Sequence, residues 1–424
     1  MSRLVIRGGV IVEPSGTTTA DVAIEGGSIV EVGPHLDAAD ARVLDATGCY
    51  VATGFVDLAT HVGQPGDEQI ETVATAASGA VRGGFTAMCV MPGTGSAVDT
   101  AGAVRDMQRL AHGVACRVLI PGALTKGRKA LELAEMAEMA ALGVNIFGDG
   151  RTIADSGLLR RALEYAGFLG ATVAVHCEDP GLAAGAVMNE GQWSSRMGVQ
   201  GSPVEAERIV IERDVALCRL TGTPIHIRHV STAAGVDTVR RAKAEGLAVT
   251  CDVTPHHLTS TEAECASFDP AWRVEPPLRT PTDLDALREG LLDGTIDAIA
   301  TDHTPVAPED KEEPFDQAPA GMLGLESALP LVLALDLPIE VLFDKLSWTP
   351  GRLAGLGNLH DGRVAPGRTA DLVVVDPNHQ WQISGAEMAS PCRNTPYDGR
   401  VVNGRARHTI AGGIAAVVDY EETS

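Results

Sequence analysis

Between about residue 54 and residue 356, short apolar runs alternate with stretches whose apolar residues recur at helical spacing. The strand-like runs are Gly54–Leu58, Phe85–Met91, Arg117–Pro121, Val144–Phe147, Thr172–His176, Ile225–His229, Ala248–Val253 and Ala298–Asp302. Helical stretches follow most of them: Glu71–Val81, Ala103–Ala111, Ala130–Ala141, Ser156–Phe168, Val204–Leu220, Ala233–Ala244 and Leu284–Leu292. Asp155 and Ser156 serve as a start signal for the fourth, and Gly246 as a stop signal after the sixth. Eight strand–helix units over this span predict an α/β fold of the (β/α)8 TIM-barrel type, with a doubly wound sheet as the competing arrangement.

The flanking segments have a different texture. Leu4–Ile6, Val10–Val12, Asp21–Ile24 and Ile29–Val32 are short and β-branched, with Gly, Pro, Ser and Thr between them, and Asp371–Val375, Gly399–Val402 and Ala406–Ile410 repeat the pattern. Neither end is long enough for a good core of its own. The expected organisation is a small composite β-sandwich from residues 1–53 plus 357–424, around a barrel of residues 54–356.

Composition narrows the function classes. Charged residues are 21% of the chain and hydrophobic ones 45%, as in ordinary globular proteins. A net charge of −23 argues against nucleic acid and anionic membranes as partners. No run of eighteen apolar residues predicts a membrane span. The start M-S-R-L-V-I-R-G-G carries no apolar signal core, and the eight cysteines form no C-x-x-C pair, so a reducing, cytoplasmic setting is expected.

The chemistry lies where the strands end. His61, His176, His229 and Asp302 stand at or just beyond the carboxyl ends of strand candidates, the face on which barrel enzymes build their sites. A lone buried histidine is ordinary, but three with an aspartate at one rim form a donor set for zinc or a similar divalent ion. Such an ion makes hydroxide available near neutral pH, and a carboxylate beside it can take the proton. Other candidates read more plainly. His256 and His257 end strand seven in a supporting role, as does His226 within strand six. Cys177 is expected to be a packed thiol. The acidic, Pro-rich segment 306–320 is either a lid or a solvated loop.

Several motifs carry a family resemblance over nearly the whole chain. They are G-F-V-D-L-A-T-H-V-G-Q-P-G (54–66), G-G-F-T-A-M-C-V-M-P-G-T (83–94), G-A-L-T-K-G (122–127), V-A-V-H-C-E-D (173–179), H-V-S-T (229–232), T-P-H-H-L (254–258), P-P-L-R (276–279), A-T-D-H-T-P (300–305) and G-M-L-G-L-E (321–326). The chain resembles a dihydroorotase of the multifunctional-complex type, in the amidohydrolase superfamily. The resemblance implies that His176 and His229 hold one metal position, and that Asp302 binds the other and shuttles the proton. It also implies that His61 is the second histidine of an H-x-H pair, and that Asp149 is the candidate bridging carboxylate. The implied reaction interconverts dihydroorotate and carbamoyl aspartate in pyrimidine synthesis.

The departures from the pattern cluster at the site. Ala59 stands where the first histidine of the pair belongs. Gly63, Gly93, Glu275 and Val306 stand where side chains would contact substrate, and His303 keeps its family identity. Each lost charged hydrogen bond removes about 1.5–3 kcal/mol of binding. Zinc is the expected cofactor, one ion rather than two, with a metal-free site as the alternative. The resemblance implies a homodimer or a larger complex, with aspartate carbamoyltransferase as a partner. Three functions stay open: a dihydroorotase-type hydrolase with reduced or lost activity, a non-catalytic structural subunit of that carbamoyltransferase, and an amidohydrolase for another cyclic amide or ureide. Against the last, Lys126 and Lys129 follow strand three, and no lysine stands near strand four.

Overall fold

Inward and outward faces of the barrel strands follow the period-two alternation of their sequences. In strand five, Val173 and Val175 join the core beneath the helices while His176 faces the interior. The computed structural model describes residues 3–93, 95–357 and 359–423; Thr94, the last residue of the 83–94 motif, lies outside the described residues, as do the chain's first two and last residues. The barrel strands are Phe55–Thr60, Phe85–Val90, Arg117–Leu119, Ile146–Phe147, Thr172–His176, Ile225–Arg228, Val249–Val253 and Ala298–Ile299. Parallel pairing links one to three and four to eight. Bridges Gly122↔Phe147 and Thr60↔His303 close the ring, and the backbone N–H of His61 donates to His303 O at 2.8 Å.

Local chemistry explains most helix bounds. The Asp155 carboxylate accepts from Gly157 N and Leu158 N and starts the Ser156–Phe168 helix, as expected of an N-cap. The helix expected over 130–141 is corrected: only Met136–Ala140 is helical. Gly127, Arg128 and Ala130 have φ of 58°, 54° and 54°, and left-handed residues cannot continue a right-handed helix. Past strand eight, helices at Ala328–Leu333, Ile339–Phe343 and Thr349–Leu353 complete the outer layer; their short apolar stretches gave no clear period.

Both chain ends enter one nine-stranded sheet. Tyr50–Thr53 from the amino-terminal part pairs antiparallel with Leu372–Gln382 from the carboxyl-terminal part. Val22, Ile24, Val51, Leu372, Val374 and Ile410 are among its buried residues. Two strand pairs expected separately are single strands, Leu4–Glu13 and Val401–Ala411. In the first, Gly8 at φ 74° absorbs a register shift between Ile6 and Gly9.

The sheet joins the barrel through a buried hydroxyl. Ser347 Oγ lies 2.8 Å from Gly54 O and 3.0 Å from Thr53 O, and 2.8 Å from Thr53 Oγ1. Replacing it leaves buried polar groups unpaired. Ser347→Ala is therefore expected to lower stability by about 1–3 kcal/mol, read as a lower thermal or urea midpoint with the far-ultraviolet dichroism of the native state unchanged.

Candidate functional site

At the carboxyl-terminal mouth of the barrel lies a cavity of about 490 Å³, of small-molecule size. His61, His176, His229, Glu275 and Asp302 all line it, together with Arg151, Arg228 and Arg273. Strand ends 1, 5, 6 and 8 thus deliver the four residues singled out in the sequence to a common space.

The centre is Asp302. Its Oδ1 lies 3.6 Å from His61 Nε2 and 3.4 Å from His229 Nε2. Burial would raise its pKa, but His229 and then His61 outweigh burial and hold the carboxyl well below the usual range. Behind His229 stands Asp252, fully buried, with Oδ1 3.0 Å from His229 Nδ1. Its other oxygen accepts from His226 Nε2 at 2.9 Å. Burial opposes charge on His229, yet Asp302 and Asp252 overcome it and lift its pKa to about 8. A cation binding at His229 near neutral pH therefore displaces a proton.

Backbone conformation aims both residues. His229 has φ 55° and Asp302 φ 49°, in the left-handed region that non-glycine residues rarely adopt. Such a conformation costs about 1–3 kcal/mol and persists where surrounding structure enforces it. At His229 the enforcement is visible, because its N–H donates to Asp252 Oδ1 at 2.7 Å. Beyond it, the buried Glu207 carboxylate accepts from Ser231 N at 3.0 Å, Thr232 N at 3.0 Å and Thr232 Oγ1 at 2.6 Å.

A second cluster faces this one. His176, Glu178 and Glu275 each present a ligand atom within 4.8 Å of the others. His176 Nε2 and Glu275 Oε1 are 3.7 Å apart. Burial raises the Glu178 pKa, whereas the neighbouring His176 ring lowers that of Glu275. Two adjacent carboxylates and an imidazole are a donor set that fits a divalent cation. Glu178 is held by Ser202 Oγ at 2.8 Å, and Ser202 O accepts from the buried Arg279 at 2.8 Å. Glu178 and Arg279 were not singled out in the sequence, although both lie inside quoted motifs.

The remaining expected positions do not line the cavity among the described residues. The Asp149 carboxylate accepts from Leu124 N at 2.8 Å and Thr125 N at 3.0 Å, and also from Thr125 Oγ1. It ties strand four to the loop after strand three. His303 Nε2 donates to the buried Glu71 at 3.3 Å while its Nδ1 accepts from Gly324 N at 3.2 Å. Val306 is buried, its N–H bound to Asn394 Oδ1 at 3.1 Å. Segment 306–320 is largely exposed but anchored, with Lys311 Nζ donating to Pro270 O at 2.8 Å and Phe315 buried. His257 donates to Pro276 O at 3.1 Å, and its ring centroid lies 4.7 Å from that of His256.

Gly63 and Gly93 are filled rather than empty. A Cβ on Gly63 would stand 2.0 Å from Asp67 O, and one on Gly93 would stand 1.9 Å from Arg128 Nη1. The chain around Gly63 is fixed by Gly63 N→Glu71 O at 2.9 Å and Asp67 N→Gly63 O at 2.9 Å. Gly63→Arg is accordingly expected to destabilise the fold by about 1–3 kcal/mol without creating an anion clamp, checked by thermal unfolding and by titration with a dicarboxylate.

A family model described as dihydro-orotase-like matches residues 48–234. The dihydroorotase of Pelotomaculum thermopropionicum is 41% identical over 98% of this chain and 99% of its own length, and that of Streptomyces coelicolor is 42% identical over 100% of both. Among solved structures, the L-hydantoinase (dihydropyrimidinase) of Arthrobacter aurescens has a TM-score of 0.89 at 24% identity, covering 100% of this chain and 98% of that one. The dihydropyrimidinase of Brevibacillus agri gives 0.86 at 24% identity, covering 99% and 96%. At that identity the likeness shows the fold, a TIM barrel with a β-sandwich. The end-to-end similarity to the curated relatives shows more: this chain belongs to the dihydroorotase family of amidohydrolases.

Proposed function

We propose that the chain is a dihydroorotase-type cyclic amide hydrolase that interconverts dihydroorotate and N-carbamoyl-aspartate. The observation that carries this reading is Asp302, held ionised between His61 and His229 at the floor of the cavity. A divalent ion, taken to be one zinc, supplies polarisation of the amide carbonyl and a water of lowered pKa. His176, Glu178 and Glu275 would hold it. Asp302 accepts the proton of the attacking water and returns it to the ring nitrogen as the C–N bond breaks; ring closure is the reverse. Arg151 and Arg273 in the cavity wall supply positive charge for the substrate carboxylate in place of the side chains absent at Gly63 and Gly93.

The resemblance supports a homodimer or a complex with aspartate carbamoyltransferase. The cytoplasmic setting is supported by eight unpaired, buried cysteines. One observation favours a second reading, a non-catalytic subunit of such a complex: backbone and Arg128 occupy the space at Gly63 and Gly93.

The test is turnover of dihydroorotate and of a panel of other cyclic amides by zinc-loaded protein. Asp302→Asn is expected to lower kcat by about 10²–10⁴-fold with the fold intact. His176→Ala is expected to lose the bound ion. A metal-free wild-type chain that turns over nothing yet co-elutes with a carbamoyltransferase would replace the first reading with the second.

A further inference from the structure

Strand six ends on Arg228, in parallel register with His176 of strand five. Alternation turns Ile225 and Ile227 toward the helix layer and His226 and Arg228 into the barrel. Arg228 is 4% exposed. Its side chain crosses the interior, and Nη1 contacts Met91 Sδ beyond the end of strand two, on the far side of the ring. Met91 belongs to a buried cluster that includes the small residues Ala59, Ala87, Cys89, Ala298 and Ala300 as well as Val56, Leu58 and Leu356. The strand-one bulge between Asp57 and Thr60 places Ala59 there, two residues before His61.

A guanidinium does not give up its proton in a protein, so this is a fixed positive charge beneath the rim. Burying it is costly unless carboxylates stand near. Asp252, Asp302 and Asp57 are the carboxylates whose charge acts on it. Asp302 and His229 are the cavity-lining residues of the rim half to which His61 also belongs. A divalent ion in that half would feel the positive field of the guanidinium through a low dielectric.

We propose that Arg228 is a built-in cation that takes the electrostatic place of a metal ion beside His61, His229 and Asp302, so that the chain holds one divalent ion, at His176, Glu178 and Glu275. The small residue at 59 and the long one at 228 are then two parts of one exchange. Ala59 removes a ligand, and Arg228 supplies the charge. The proposal concerns ion capacity and stands whether or not the ring-opening reaction is catalysed.

Zinc content after equilibrium dialysis of the full-length protein tests it. Wild type is expected to hold one ion per chain. Ala59→His is expected to hold still one, because the guanidinium remains. Ala59→His with Arg228→Met is expected to hold two, with a further rise in thermal midpoint on adding zinc. Two ions or none in wild type, a second ion in Ala59→His, or no second ion in a double variant with native circular dichroism would each overturn the proposal. If the double variant does not fold, the counts for wild type and Ala59→His decide.

Discussion

Asp252 is a carboxylate without access to water, and the order of the rim follows from how its charge is compensated. Unpaired, such a group would take up a proton or destabilise the fold by several kcal/mol. Here His226 holds one oxygen, while the ring and the backbone N–H of His229 hold the other. That last bond fixes His229 in its left-handed conformation and turns Nε2 toward Asp302. Asp302 in turn faces His61 on strand one, next to the backbone bond that closes the barrel. Orientation therefore passes from strand seven through six and eight to one by alternating acid and imidazole.

The part legible in the sequence was the part written in local pattern. His61, His176, His229 and Asp302 stand at the ends of apolar runs, and alternation within strands fixes which residues turn inward. The eightfold alternation of strand and helix gave the barrel. Asp252 and Arg228 were passed over because they sit within or at the end of apolar runs, where they read as strand. Their meaning depends on partners that only folding supplies: Met91 lies 137 positions from Arg228. Glu178 was missed because it follows strand five after alternation has ceased to apply.

The substituted glycines illustrate a different limit. The sequence shows that no side chain leaves Gly63 or Gly93, but not what takes its place. Asp67 O and the Arg128 guanidinium fill those volumes, which makes the loss of the side chains a rearrangement of the loops rather than a vacancy. Arg128 is itself left-handed, as are Gly127 and Ala130, the same departure that keeps the expected helix from starting at residue 130. One local feature thus accounts for the error in secondary structure and for the altered wall of the site.

Net charge and site charge also separate. The chain carries −23 overall, a charge that opposes the approach of a dicarboxylate ligand. Screening limits that field to about 8 Å at physiological ionic strength for exposed charges, whereas groups inside the cavity interact through a low dielectric. Within the cavity the balance is close: Arg151, Arg228 and Arg273 face Glu178, Glu275 and Asp302. His229, its pKa lifted to about 8, can add positive charge, and so can an ion between Glu178 and Glu275. The site can therefore attract an anion while the surface repels one, and its sign is set by the occupancy of a single cation position.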